Sequence, residues 1–180
     1  PFATERATDA EPPLCAACRV EEFDFDAARA YGLYLGNLRS AILSMKFHGR
    51  RRLGNSLGEL MAPAWDWVAG QCEGEFPLIV PVPLHSARQR ERGFNQAELL
   101  ATGLARKLAA RNAGARPRVE TRCVRRRRPT LPQTGLSLHQ RRENVRGVFA
   151  GRAPERIRGR MVVLVDDVMT TGATVGECAR

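Results

Sequence analysis

Apolar residues recur along this chain at two characteristic spacings. Short apolar or alternating runs, which are typical of strands, occupy residues 30–35, 78–82, 118–124 and 161–165. Apolar residues at every third or fourth position, typical of amphipathic helices, occupy residues 38–47, 53–68 and 93–111. Pro63 lies inside the second of these predicted helices, although proline disfavours a continuous helix. Strands that alternate with helices predict an α/β fold with a mainly parallel sheet flanked by helices.

Two polar segments break this alternation. Residues 1–28 show neither spacing, so the main domain is expected to begin at residue 29. Residues 125–144 are polar and basic and predict a long loop with a short helix near its end. A loop of that length inside a compact domain is usually functional. Residues 145–150 predict a further strand, and Gly172 is expected to open a last helix.

The length of 180 residues allows one domain with a sizeable core and a small appendage. The chain begins at Pro1 and ends at Arg180 inside a predicted helix, so we expect it to be a piece of a longer protein. Its longest strongly apolar run is far shorter than a membrane span, and no secretion signal is recognisable, so no membrane insertion is expected. Of the five cysteines only Cys15 and Cys18 are closely spaced, which favours a reducing cytoplasm over a disulfide scaffold.

The formal net charge is +10, and arginine dominates the basic residues. Residues 111–128 contain eight arginines and one acidic residue, and residues 125–128 are four arginines in a row. Such a charge favours anionic partners, namely phosphates, nucleic acid or acidic lipid. The alternative is a solvated arginine-rich surface without a specific partner.

Two adjacent carboxylates follow the last predicted strand in the segment VVLVDDVMTTGAT, residues 162–174. Ligands of open α/β sheets bind at the carboxyl ends of strands, where Asp166 and Asp167 can accept hydrogen bonds from a vicinal diol. The threonines and Gly172 then offer hydroxyls and close backbone N–H groups to a phosphate. A diol acceptor beside a phosphate cradle predicts a ribose 5-phosphate site. The alternative is that Asp167 or Thr171 merely caps the helix. No Gly-x-x-x-x-Gly-Lys-Ser/Thr sequence occurs, which excludes a Walker-type phosphate loop.

A second motif follows the strand at residues 78–82. Its two prolines direct the chain out of the sheet, and His85, Arg88 and Arg92 then come before the helix predicted at residue 93. Guanidinium groups match phosphate oxygens in a bidentate manner. The alternative is an ordinary polar loop that Asn95 caps.

The segment at residues 162–174 resembles the phosphoribosyl-pyrophosphate (PRPP) motif of type I phosphoribosyltransferases. Together with VPVPLH…R…RGFNQ (residues 80–96) and PQTGLSLHQRRENVRGVF (residues 132–149), it resembles the ComF family over residue 30 to the carboxyl end. The resemblance implies the type I phosphoribosyltransferase-like fold for residues 29–180. It implies that Asp166 and Asp167 hold the ribose hydroxyls. The residues it assigns to the 5-phosphate are Thr170, Thr171, Gly172, Ala173 and Thr174.

The resemblance also assigns a pyrophosphate loop and a hood over the active site. The loop spans residues 84–92 and includes Leu84, His85 and Arg88. The hood spans residues 130–146, and the residues that match the family pattern there are Gln133, Thr134, Gly135, Arg141, Arg142 and Asn144. With Mg²⁺ bound on PRPP, the expected catalytic residues are Arg88, Arg92 and Arg141, while the two aspartates position the ribose rather than act as bases.

The pair Cys15 and Cys18 has a spacing that suits zinc, but a structural site needs four ligands. The resemblance implies that residues 1–28 are the remnant of a zinc ribbon, whose other cysteine pair lies upstream in ComF proteins. Zn²⁺ is therefore expected in the full-length protein. Within this chain the site is incomplete or degenerate.

The family's link to natural competence leaves three functions open. The first is phosphoribosyl transfer to an unidentified acceptor, and the second is a PRPP-fold protein that has lost this chemistry and binds single-stranded DNA during transformation, alone or with competence-machinery proteins. The third is a regulator that senses PRPP. Few aromatic residues are available to stack on bases, and Phe47 and Phe94 are both expected in the core.

Overall fold

The computed structural model describes residues 23–69, 76–111, 117–131 and 135–180. The α-helices are α1 (Gly36–Phe47), α2 (Arg51–Leu60), α3 (Ala62–Ala69), α4 (Ser86–Arg92), α5 (Gln96–Arg111), α6 (Leu138–Val145) and α7 (Ala173–Ala179). The strands are β1 (Leu78–Pro81), β2 (Arg118–Val119), β3 (Val124–Arg126), β4 (Phe149–Gly151) and β5 (Val162–Val165), and a 3₁₀ turn spans Pro154–Arg156.

The main sheet has three parallel strands in the order β2-β1-β5. Its central strand, β1, is buried along its whole length, which explains its continuous apolar run. β3 and β4 form a separate antiparallel pair. The described residues thus confirm an α/β architecture with a parallel sheet flanked by helices.

Side chains alternate between two apolar clusters on either side of the sheet, as the period of two in a strand requires. Ile79 of β1 and Val165 of β5 pack with helical residues such as Leu104 of α5. Leu78 and Val80 face the other way and pack with Cys123. The large helical layer covers one face, and the segment around β3 covers the other.

Helices α2 and α5 approach so closely that their backbones touch at two glycines. A Cβ at Gly58 would lie 2.1 Å from the carbonyl oxygen of Leu100, and one at Gly103 would lie 2.1 Å from that of Asn55. Only glycine fits this crossing, so the two helices form a closely packed layer behind the sheet.

Several predicted elements need correction. Residues 30–35 form bends rather than a strand, because Leu35 lies at the N-cap of α1 and is 67% exposed. The strand predicted at residues 118–124 ends at Val119, since the buried Glu120 carboxylate accepts a hydrogen bond from the backbone N–H of Arg122 and turns the chain. The strand predicted at residues 145–150 is confined to β4.

The arginine-rich loop is also shorter than its sequence predicts. β3 occupies its beginning, and α6 forms near its end as expected. The single helix predicted at residues 53–68 is two helices, because α2 ends at Leu60 and α3 carries Pro63 in its first turn, where proline is tolerated. Helix α4 was not predicted from the sequence. Across the described ranges, no helix is long and apolar enough to cross a membrane.

Candidate functional site

The strands β1 and β5 deliver the two sequence motifs to one edge of the sheet. Pro81 of β1 pairs with Val165 of β5, and the backbone N–H of Val82 donates to the carbonyl oxygen of Val165 at 2.9 Å. Parallel strands in this register end together, so residues 82–85 and residues 166–174 leave the sheet side by side. We call these two segments the strand-end edge.

Buried Asn95 ties the first motif to this edge. Its side-chain amide donates to the carbonyl oxygen of Val82 at 3.0 Å, and its Oδ1 accepts from the backbone N–H of Ala97 at 3.1 Å. Asn95 therefore caps α5, as the polar-loop alternative required, and it also fixes the end of β1. The cap holds the motif in place without excluding a ligand there.

Asp166 lies directly after β5 in an environment that disfavours its charge. Its Oδ1 accepts a hydrogen bond from the backbone N–H of Asp167 at 2.8 Å. Burial, and next the like charge of Asp167, raise the pKa of Asp166 to about 7, while Lys46 and Arg126 oppose the shift. The carboxylate thus changes charge near neutral pH.

Asp167 forms an ion pair with Lys46 in α1, a helix that lies far from Asp167 along the chain. Its Oδ2 lies 2.8 Å from Nζ of Lys46 in α1, and the Asp167 side chain is only 5% exposed. Within the described parts of the chain this buried oxygen has no further hydrogen-bond partner. Lys46 therefore balances the charge of Asp167 in the structure.

The loop that follows the aspartates borders a small concavity that opens to solvent and is lined by Asp166 and residues 168–175. Gly172 occupies the N-cap position of α7 with a φ of +76°, a conformation that other residues rarely adopt. A Cβ at this position would lie 2.9 Å from the ring of Phe23. Thr171 Oγ1 accepts a long hydrogen bond of 3.4 Å from the N–H of Ala173. Thr171 thus contacts the start of α7 from the position before the N-cap, while Asp167 pairs with Lys46 and does not cap the helix.

Helix α6 brings the predicted hood onto this loop. A capping box between Ser137 and Gln140 starts the helix, and Arg141 on its first turns donates from Nη1 to Thr170 Oγ1 at 3.0 Å. Arg141 Nε also donates to the carbonyl oxygen of Leu136 at 3.0 Å, which orients the guanidinium. Arg141 therefore connects α6 to the loop that follows the aspartates.

The Asn144 side chain links the beginning of the predicted hood to its end. Asn144 accepts a hydrogen bond from the N–H of Leu131 at 3.1 Å and donates to its carbonyl oxygen at 2.9 Å. Among the other predicted hood residues, Gly135 adopts a φ of +84°. Gln133 and Thr134 lie outside the described residues, as do Cys15 and Cys18.

The predicted pyrophosphate loop is a helix, α4, rather than an irregular segment. His85 caps it, because its Nδ1 accepts from the N–H of Ala87 at 3.3 Å. Arg92 donates to Gln96 Oε1 at 2.6 Å, and burial lowers its pKa while Asp167 opposes the shift. Arg88 lies close enough to add its repulsion to Arg92. Leu84 is half-buried in the turn before the helix.

Two residues of the site were missed from the sequence. Lys46 carries no motif and is recognisable only once α1 is seen to reach Asp167. Arg126 is half-buried between the exposed Arg125 and Arg127, an alternation that the run of arginines conceals. Its Nε is buried and, within the described ranges, has no hydrogen-bond partner.

The surroundings of Arg126 connect it to both motifs. Its guanidinium lies 5.5 Å from the centroid of the Phe149 ring, and its Nη2 donates to Thr130 Oγ1. Burial lowers the pKa of Arg126, Asp166 opposes that shift, and Arg88 adds to it. Part of the arginine run thus faces the strand-end edge instead of bulk solvent.

Comparison with known proteins identifies the family. The chain is 33% identical over 168 residues to competence protein F of Haemophilus influenzae, a match that covers 92% of this chain and 70% of that protein. It is 34% identical over 148 residues to DNA utilization protein YhgH of Escherichia coli K12, covering 82% of this chain and 61% of that protein. The corresponding protein of Salmonella typhimurium is 31% identical over 173 residues, covering 95% and 72%.

The chain belongs to the ComF family. It spans about three fifths of the length of the Escherichia coli relative and 70% of the Haemophilus influenzae relative. No family model matches the chain, and no solved structure matches it.

The three ComF motifs converge on one side of the sheet in the fold described above. Asp166 and Asp167 end β5, α4 follows β1, and Arg141 reaches the loop from α6. In the described ranges no cluster of three or more His, Cys, Asp or Glu residues is arranged to hold a metal ion.

Proposed function

We propose that this ComF-family chain has the type I phosphoribosyltransferase fold, binds PRPP at the strand-end edge and transfers its phosphoribosyl group. The observation that carries the proposal is the pair Asp166 and Asp167 at the carboxyl end of β5, directly before the concave loop of residues 168–174. The aspartate carboxylates would accept hydrogen bonds from the ribose hydroxyls, with Asp167 held in place by Lys46, and the threonine-rich loop would receive the 5-phosphate.

The diphosphate would face the arginines that surround this edge. Arg88 and Arg92 come from α4, Arg126 from β3 and Arg141 from α6. Guanidinium groups neutralise the charge that develops on a departing diphosphate. The buried, unpartnered Nε of Arg126 is suited to such an acceptor.

The donor set fits a magnesium ion that arrives with the ligand. The two aspartates are hard oxygen donors, but the described residues provide no complete protein-made cage, so the diphosphate would supply most ligands. Bound there, Mg²⁺ would add Lewis-acid stabilisation to the leaving diphosphate.

Transfer builds positive charge on the anomeric carbon as the diphosphate leaves. Asp166 and Asp167 orient the ribose through its hydroxyls, and neither is placed as a general base. Helix α6, held to the loop through Arg141 and Thr170, would exclude water that otherwise hydrolyses the sugar cation.

Calorimetric titration with PRPP and Mg²⁺ tests the proposal. We expect Asp167→Asn to weaken PRPP binding by about tenfold or more, since a carboxylate hydrogen bond contributes about 1.5–3 kcal/mol. Asp66→Asn, which changes the same charge in an exposed ion pair with Arg111, should leave the affinity unchanged. Equal PRPP affinity in the wild-type chain and Asp167→Asn would contradict the assignment.

A second candidate function is binding of single-stranded DNA in natural transformation. The names of the relatives, competence protein F and DNA utilization protein, favour an association with DNA uptake, and the net charge of +10 favours phosphate backbones. Steeply salt-dependent strand binding without PRPP-dependent diphosphate release across a panel of nucleobases would select this function. PRPP binding with neither turnover nor strand binding would select the PRPP sensor.

Zinc binding and cellular location also belong to the proposal. We propose a cytoplasmic protein in which Cys15 and Cys18 supply two of four ligands to a zinc ion. Metal analysis of the full-length protein, with and without Cys15→Ser, checks the zinc.

A further inference from the structure

Phe47 ends α1 as an exposed aromatic side chain, which corrects the expectation that it belongs to the core. Phe47 is 70% exposed. Phe94, which was also expected in the core, is 7% exposed and packs in the main apolar cluster. The residue before Phe47, Lys46, lies 2.8 Å from Asp167. The carboxyl end of α1, which carries Phe47, therefore lies beside the proposed phosphoribose site.

A cation from the other motif fixes one side of this ring. The guanidinium carbon of Arg92 lies 5.9 Å from the centroid of the Phe47 ring, and Gln96 accepts a hydrogen bond from the same guanidinium. Since most of the ring is still exposed, a large part of its surface is open to solvent on the side away from Arg92.

The chain next to Phe47 is strongly basic and concave. Gly49, Leu53 and Ser56 line a surface hollow together with the arginines at residues 50–52. Arg51 donates to the carbonyl oxygen of Gly93 and lies 5.3 Å from the Phe94 ring, which holds the turn after α1 against the turn after α4. An open aromatic face thus borders cations that suit phosphate.

We propose that Phe47 is a stacking platform for a purine or pyrimidine base, held beside the phosphoribose site. The proposal rests on the proposed function for the meaning of that neighbouring site. Bases stack on aromatic side chains irrespective of sequence, and Arg side chains nearby receive the attached phosphates. The base would belong either to a free acceptor or to a single strand, two sources with the same stacking chemistry.

Three fluorescent ligands test the platform on the intact chain. They are free 2-aminopurine base, a short oligothymidylate with one 2-aminopurine, and an abasic strand of the same length with an end label. The variants are Phe47→Ala and Phe47→Trp, with Leu35→Ala at the opposite end of α1 as a control of similar exposure (67%). PRPP binding is titrated in parallel.

We expect Phe47→Ala to bind at least one base-bearing ligand about tenfold more weakly, because stacking on one side chain contributes about that factor. Phe47→Trp should retain the affinity, Leu35→Ala should not alter it, and abasic binding should be unchanged in all variants. Weaker binding of the free base assigns the platform to a free acceptor, and weaker binding of the strand alone assigns it to nucleic acid.

Two results would overturn the platform: equal effects of Phe47→Ala on abasic and base-bearing strands, or no Phe47-dependent binding of either base-bearing ligand. The parallel PRPP titration separates this failure from that of the proposed function. Phe47-dependent stacking in a chain that does not bind PRPP leaves the platform standing and refutes PRPP binding. PRPP binding without Phe47-dependent stacking refutes the platform alone.

Discussion

Glycine permits close approach at two places in this molecule, with different neighbours in each. Between α2 and α5, Gly58 and Gly103 bring backbone against backbone within an apolar layer. At the strand-end edge, Gly172 brings its loop under Phe23 while charged and hydroxyl side chains surround it. The first place has no room for a ligand, and the second keeps a concave space open.

The buried polar atoms sharpen this difference. Of the buried side-chain atoms without a hydrogen-bond partner in the described ranges, the two from charged groups lie near the edge, on Asp167 and Arg126. The third is the uncharged amide oxygen of Asn55 in α2. The Asp167 oxygen is balanced by its ion pair with Lys46, whereas a buried N–H such as Nε of Arg126 costs stability when it lacks an acceptor, and local rules are broken most often at functional sites. The helical layer thus provides rigidity, while the edge retains unmet binding capacity.

The largest expected effect is on the helical layer. Gly58→Ala would place a methyl group 2.1 Å from the Leu100 carbonyl oxygen, so α2 and α5 must separate. Overpacking of this kind costs about 1–3 kcal/mol and occasionally more, and a clash with backbone places this variant at or above the upper end. Urea unfolding measures the loss.

Gly151→Ala is the matched control for that variant. No described atom lies within 4 Å of a Cβ at Gly151, and its φ is not positive. We expect a change below about 1 kcal/mol there. Similar losses in both variants would show that the α2–α5 crossing is not the tight layer described here.

The second prediction concerns proton uptake at the edge. Asp166 has a folded-state pKa of about 7 against an ordinary value of 3.8, so between these pH values the folded chain binds a proton that the unfolded chain has released. This contribution to stability is complete below pH 3.8 and is lost as pH rises through 7. The unfolding free energy of wild type minus that of Asp166→Asn should fall across this window, by at most about 1.4 kcal/mol per pH unit, and level off above it.

Cys178→Ala provides the control for the pH series. Burial raises the pKa of Cys178 to about 12, so its thiol stays neutral throughout the window although it lies close to Asp166. The unfolding free energy of Cys178→Ala should change with pH at the same rate as that of the wild-type chain. A flat difference curve for Asp166→Asn would mean that Asp166 is already ionised in the folded chain at pH 4–7.

The sequence predicts the elements that their own apolar period identifies, and it misses those whose formation depends on contacts with distant residues. The apolar stripe of α5 and the buried runs of β1 and β5 carry their own period, and each formed where it was expected. The run at residues 30–35 has the same apolar character but no neighbouring strand, so it forms bends. Pattern alone does not reveal which strand a segment will pair with.

The same limit applies to the site. Asp166, Thr170 and Arg141 belong to motifs that the sequence reveals, but the contact of Arg141 with Thr170 is visible only in the fold. Lys46 and Phe47 carry no motif, because their roles depend on where the carboxyl end of α1 meets α4 and Asp167. Their placement depends on helix packing, which local sequence does not specify.

The smallest expected change in stability is at Gly172, yet it separates the two uses of glycine most directly. Gly172→Ala and Gly147→Ala both place an alanine at positive φ, at +76° and +63°, which costs about 1–2 kcal/mol each. Only Gly172 adds a contact, with the Phe23 ring 2.9 Å from the new methyl group, whereas no described atom lies within 4 Å of a Cβ at Gly147. Thermal unfolding should therefore show similar losses with a modest excess at Gly172, while calorimetry should show weakened PRPP binding for Gly172→Ala alone. Equally weakened PRPP binding in the two variants would show that general destabilisation causes the effect, and it would contradict a specific role of residues 168–174 in binding PRPP.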